Sequence, residues 1–154
     1  LLWKGIGAFV CQNPQYRTLY GTVSLSKLYD PRTVALIEKV MVSQTSSVSA
    51  YASLEGLLHP EVLDFLANRS TSTPLTIEQL SAFVTAIEVD GKDLPVLLKQ
   101  YHKLGAKFHC LAIDTNFNQT PGLLLSVDLP KAPEKLLKLY LGTKRHEYLS
   151  YTHR

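Results

Sequence analysis

The chain has little cysteine, little excess charge and no long hydrophobic run. Its two cysteines in 154 residues, Cys11 and Cys110, stand far apart with no metal-ligand spacing. That argues against a disulfide-stapled secreted scaffold and fits a reduced, cytoplasmic setting with two buried thiols. No stretch of about 18 apolar residues occurs, so no transmembrane helix is expected, and no basic segment followed by an apolar one marks a signal peptide. A formal charge of +3 is too small to argue for nucleic acid, although an acidic partner could be met on one face. There is no initiator methionine, and Leu1 already lies inside an amphipathic helical pattern. Upstream sequence is therefore expected.

Recurrent chemical motifs are also missing. Gly5-Ile6-Gly7 is followed by Val10 where a dinucleotide fingerprint has glycine, and no strand precedes it, so a close helix-packing face is the better reading. His59, His102, His109, His146 and His153 never fall at a two-histidine metal spacing with a carboxylate, and no metal site is expected. No serine sits in a G-x-S-x-G elbow, and neither cysteine has a catalytic context.

What remains is a 45% hydrophobic chain with a pattern sufficient for one α/β domain with a real core. Leu2, Ile6, Phe9 and Val10 repeat at helical spacing until Pro14. From 18 to 26, Leu19, Gly21, Val23 and Leu25 alternate with hydroxyl-bearing residues, the period of a half-buried strand. Asp30 and Pro31 supply the N-cap and first turn of a helix reaching about 42. A Ser-rich, weakly patterned stretch at about 43–75, with a helix from Pro60 to Asn68, reads as an insertion. Thr76 and Gln79 form a capping box for the next helix, which runs to the Asp90-Gly91 turn. Pro95 opens another helix, which Gly105 can close. Strands at about 107–113 and 122–128 are joined by a loop short enough for an antiparallel hairpin. Pro133 starts a further helix stopped by Gly142, and helical sequence continues toward Tyr151. No linker separates two cores.

The set Leu2-Trp3-Lys4-Gly5-Ile6-Gly7, Asn13-Pro14-Gln15-Tyr16-Arg17 and Leu19 through Ser26 with Tyr29 resembles the hemolysin-labelled branch of the GNAT superfamily of N-acyltransferases. Asp93, Pro95-Val96-Leu97-Leu98, Gln100-Tyr101, Leu104-Gly105, Asp114, Phe117, Val127-Asp128-Leu129 and Tyr140-Leu141-Gly142 extend the likeness over nearly all of the chain except 43–75. The resemblance implies the C-terminal half of a GNAT-like fold. Its mixed sheet would hold strands 18–26, 107–113 and 122–128, the last between the other two, with flanking helices. The family's pyrophosphate-binding loop and an acidic segment would lie upstream. The open edge of the 18–26 strand would then pair either with that upstream segment or with a second copy in a homodimer.

The activity implied is transfer of a fatty acyl group from an acyl carrier protein or coenzyme A thioester to an amino-acid amine, as in amino-acid-containing lipid synthesis. No permanently bound cofactor is implied, the thioester being a substrate. The setting is cytoplasmic, peripheral to the inner membrane, and residues 1–154 alone would be inactive. Amide formation needs a free amine, donors for the oxyanion and an acid near the departing thiolate. Tyr29 is the candidate acid, its bland alternative being a packed aromatic with a bonded hydroxyl. Ser24 and Ser26 would line the acyl or acceptor site. Asp114 and Asn116 would meet the amine, unless they simply form the turn. Thr115-Asn116 and Lys27-Leu28 stand where the family often has Pro-Asp and Asn-Asp, which weakens any transfer of acceptor specificity. The competing reading is a non-catalytic module that docks an acyl carrier or other protein through Lys99, Lys103, Lys107, Lys135 and Lys138.

Overall fold

A computed structural model describes residues 2–42, 48–49, 60, 61, 64, 67 and 74–152. The expected insertion at 43–75 and its helix from Pro60 to Asn68 fall, apart from those scattered positions, outside the described residues. Helix α1 (Leu2–Gln12) leads to strand β1 (Thr18–Ser24) and helix α2 (Pro31–Met41). Helices α3 (Ile77–Ile87) and α4 (Val96–Lys103) precede the hairpin of β2 (Lys107–Asp114) and β3 (Thr120–Asp128). A 3₁₀ turn then leads to α5 (Glu134–Leu141) and, through a second such turn, to α6 (Arg145–Ser150).

The strands lie in the order β1-β3-β2, so the last strand fills the gap between the other two. The architecture is α/β, as the alternation of periods implies. The sheet is not mixed in its ladders, however. β3 runs antiparallel to both neighbours, and the parallel component among the described residues is one bridge between Val42 and Phe108. That bridge follows from α2, which carries the chain from β1 to the far side of β2.

β1 is also shorter than the alternation suggests. Leu25 still donates to Pro121 O at 2.8 Å, but Ser26 then turns the chain away, its carbonyl accepting from Tyr29 N and its hydroxyl from Leu28 N. A local side-chain bond has displaced the ladder there.

One row of the sheet is core. Val23, Leu123, Leu125, Val127, Phe108, Leu111 and Ile113 are buried, whereas Tyr20, Thr22 and Ser24 are exposed. Phe108 and Leu111 share the buried row despite being three apart, because the register shifts between Phe108 and Cys110. His109 is the extra residue of a bulge, and the alternation restarts after it.

The C-terminal helix staples the α1–β1 connection to this core. Tyr148, 1% exposed, donates its hydroxyl hydrogen to Tyr16 O at 3.0 Å. Arg17 lies over the Tyr148 ring at 4.8 Å and donates to Tyr148 O at 2.6 Å. Helix α1 reaches α5 through the close approach that Gly5-Ile6-Gly7 suggests, with Gly7 buried against the Tyr140 backbone. Gly5 is exposed and faces open space.

Candidate functional site

The β1–α2 loop is short, and its geometry comes from elsewhere in the chain. Asp30 caps α2 as its sequence predicts, accepting from Arg32 N at 2.8 Å, with Pro31 in the first turn. The Arg32 guanidinium, hydrogen-bonded to the same carboxylate, holds the Asp30 pKa below the usual range. Facing this loop is the connection between α3 and α4. Glu88, the residue after α3, is buried. Its Oε1 accepts from Asp30 N at 2.8 Å and from the Thr33 hydroxyl at 2.5 Å. Four residues on, Lys92 lies 3.6 Å from Glu88 Oε2, donates to Leu28 O at 3.0 Å and stands 5.4 Å above the Tyr29 ring.

Tyr29 is held within this frame, half-buried. Its hydroxyl donates to Asp93 O at 2.5 Å. Burial pushes the phenol pKa up, the Glu88, Asp93 and Asp90 carboxylates push it further, and the Lys92 ammonium opposes them. Asp93 is itself anchored. Its side chain accepts from Ser81 Oγ at 2.5 Å and Leu94 N at 2.6 Å, and it pairs with the Lys99 ammonium. Burial alone would raise the Asp93 pKa, but the Lys99, Ser81 and Leu94 hydrogen bonds outweigh it and hold the carboxyl below the ordinary range.

The other singled-out residues gather at the same end of the sheet. Ser24 closes β1 opposite Gly122, and Gly122 is opposite Ala112, two residues before Asp114. Ser24 and Ser26 are exposed, although the Ser26 hydroxyl is occupied in its own turn. Asp114 Oδ1 accepts from Asn116 N and Phe117 N, both at 3.0 Å, so this carboxylate builds the hairpin turn. Asn118 and Gln119 complete the loop in left-handed conformations, φ 53° and 56°.

A second feature lies along β1. An apolar groove of about 590 Å³ runs between α1 and the sheet, with Leu2, Trp3, Ile6 and Phe9 on the helix and Leu19 and Tyr20 on the strand among its walls. Trp3 meets Tyr101 edge-on at 5.5 Å and Tyr140 at 5.8 Å, and Phe9 stacks on Tyr16 at 5.6 Å. No charged residue lines the groove among the described residues. Among those residues β1 pairs only with β3, which leaves its other edge open beside the groove. Leu2, Phe9 and Tyr20 are each more than half exposed.

Of the lysines considered for docking, Lys99 is engaged with Asp93, whereas Lys103, Lys107, Lys135 and Lys138 are exposed. No three His, Cys, Asp or Glu side chains gather as a metal site would require among the described residues. Nor is any described helix long and apolar enough to cross a membrane.

No protein-family model, curated protein or solved structure matches the chain.

Sequence patterns miss Glu88 and Lys92, whose partners lie 55 to 64 residues away. One signal was available. A carboxylate just after a helix C-terminus is opposed by the helix dipole, so Glu88, two residues before the Asp90-Gly91 turn, calls for a partner outside its own helix.

Proposed function

We propose that the chain is the C-terminal half of an N-acyltransferase that moves a fatty acyl group from an acyl carrier protein or coenzyme A thioester to the amine of an amino acid. The observation that carries this reading is the edge of β1 that no strand pairs among the described residues, beside an apolar groove that those residues line without charge. A thioester donor has two unlike parts, an amide-bearing arm and an alkyl chain. Strand-edge N–H and C=O groups can pair with amides, and an alkyl chain needs a trough without charge. The order β1-β3-β2, with α2 crossing beyond β2, also supports the resemblance drawn from the sequence motifs.

In this reading the amine attacks the thioester carbonyl, the C–N bond forms and the C–S bond breaks. The departing thiolate takes up a proton from Tyr29, which starts protonated and donating to Asp93 O, and the proton shed by the attacking nitrogen, carried through water, restores the phenol. A phenol is protonated at neutral pH, and burial here pushes its pKa further up. The exposed Ser24 hydroxyl and the Asp114–Gln119 loop lie at the end of the sheet where the acceptor amine would enter.

The test is amide formation, followed by mass spectrometry with a long-chain acyl donor and a panel of amino acids. The chain continued at its N-terminus by the residues its gene encodes there should form N-acyl amino acid, and residues 1–154 alone should not. An extended protein that binds the thioester but yields no amide with any acceptor would refute the reading.

A further inference from the structure

We infer that Glu88 is a positioning residue for Tyr29, its carboxylate reaching from the end of α3 to fix the β1–α2 loop on which the phenol sits. Tyr29 is gripped on both sides in sequence. Glu88 Oε1 takes the amide hydrogen of Asp30 at 2.8 Å, the residue after it. Lys92, held near Glu88 Oε2 at 3.6 Å, donates to the carbonyl of Leu28, the residue before it, at 3.0 Å.

The same carboxylate oxygen takes the Thr33 hydroxyl at 2.5 Å, which ties the first turn of α2 to the loop. Thr33 is completely buried and the Glu88 side chain is 4% exposed. A carboxylate this buried is costly unless its oxygens are satisfied, and here an amide, a hydroxyl and an ammonium satisfy them. Nothing in α3 favours a negative charge at its C-terminal end. The arrangement makes sense through what the carboxylate holds, which is the loop.

Glu88 and Lys92 act on the phenol as well as on the backbone. The charged groups facing Tyr29 are Glu88, Asp90, Lys92 and Asp93 from the α3–α4 connection, while Asp30 of its own loop is paired with Arg32. Glu88 raises and Lys92 lowers the tendency of the hydroxyl to keep its proton. The catalytic consequence rests on the acyl-transfer reading. The positioning itself does not.

The test observes Tyr29 directly, by NMR of the protein labelled at the tyrosine ring carbon bearing the hydroxyl, with Tyr29→Phe assigning the signal. Glu88→Gln keeps an acceptor oxygen and removes the charge. Its Tyr29 signal should stay near the native position while the titration midpoint falls. Glu88→Ala should move the signal toward that of an exposed tyrosine such as Tyr20, and circular dichroism would verify folding. Should the alanine variant not fold, Lys92→Met removes the partly exposed cation beside the phenol and leaves Glu88 its bonds to Asp30 N and Thr33, and it should raise the midpoint. An unchanged Tyr29 signal in a folded Glu88→Ala variant, or an unchanged midpoint in both Glu88→Gln and Lys92→Met, would overturn the inference.

In the extended protein, a folded Glu88→Ala should lower kcat while leaving KM for the thioester unchanged, and Glu88→Gln, which keeps the acceptor oxygen for Asp30 N and Thr33, should retain most of the kcat. An NMR effect without any transferase activity would leave the positioning standing and remove the acyl-transfer reading. Activity without an NMR effect would do the reverse.

Discussion

Gly7 and the carbonyl oxygen of Tyr140 leave no room between them: a β-carbon built on Gly7 would stand 2.2 Å from that oxygen. The contact lets α1 and α5 approach backbone to backbone, and it brings Trp3 onto Tyr140. Gly7→Ala should therefore force the helices apart and cost about 2 kcal/mol or more, as overpacking against rigid backbone does. Gly5→Ala, two residues away with open space around it, should gain about 0.5–1 kcal/mol from lower unfolded-chain entropy. Urea midpoints of the two variants should move in opposite directions. Equal effects would show that the helix contact is looser than the geometry indicates.

Stability should fall at both extremes of pH. Asp30 and Asp93 have carboxyl pKa values below the ordinary range. Their contribution is complete above the unfolded value of about 4 and is lost as pH falls through the depressed folded values. Tyr29 and Tyr148 have raised phenol pKa values, chiefly from burial. Their contribution is complete below about pH 10 and is lost as pH rises through the raised folded values. Asp93→Asn should flatten part of the acid limb and, by removing one of the carboxylates that raise the Tyr29 pKa, start the alkaline limb at lower pH, read from urea midpoints at a series of pH values.

Trp3 is the sole tryptophan and lines the groove, so its fluorescence reports occupancy without a label. A long-chain acyl-CoA, added below its micellar concentration, should shift Trp3 emission to the blue in a saturable way. Ile6→Glu, which sets a carboxylate among the groove's apolar residues, should weaken that binding at least about tenfold, corresponding to 1.4 kcal/mol. Identical titrations for the two proteins would remove the groove as the alkyl site.

Tyr29→Phe separates the two roles of the phenol. Loss of the bond to Asp93 O should lower stability by about 0.5–1.5 kcal/mol. In the extended protein it should slow acyl transfer more than it weakens donor binding, because the proton matters as thiolate character develops. Turnover equal to that of the unmodified protein would exclude Tyr29 from the chemistry.

Local features of the fold could be read ahead of the structure because they obey local rules. The Thr76–Gln79 capping box is present on both sides, and Gly91, Gly105 and Gly142 all take the positive φ that helix ends and turns demand. The period-two runs gave both hairpin strands, and the resemblance put β3 between its neighbours. The early end of β1 was hidden, since Ser26 matches the alternation but its hydroxyl prefers its own turn. So was the phase change at His109, because a bulge depends on the partner strand. At the candidate site, Asp30 was legible as a cap. Its grip by Glu88 was not, because no local period encodes a contact across 58 residues.

The place of β3 between β1 and β2 also dictates an order of events at the ribosome. β1 is finished at Ser24, yet its pairing partner begins only at Thr120. At synthesis rates of about 5–20 residues per second, β1 waits roughly 5–20 s for that partner. During that interval both of its edges are unpaired with β3, and its Leu-Tyr-Gly-Thr-Val core carries no charge to discourage a neighbouring nascent chain. The hairpin of β2 and β3 closes early once made. For those seconds the strand is open to pairing with another chain, until the hairpin arrives.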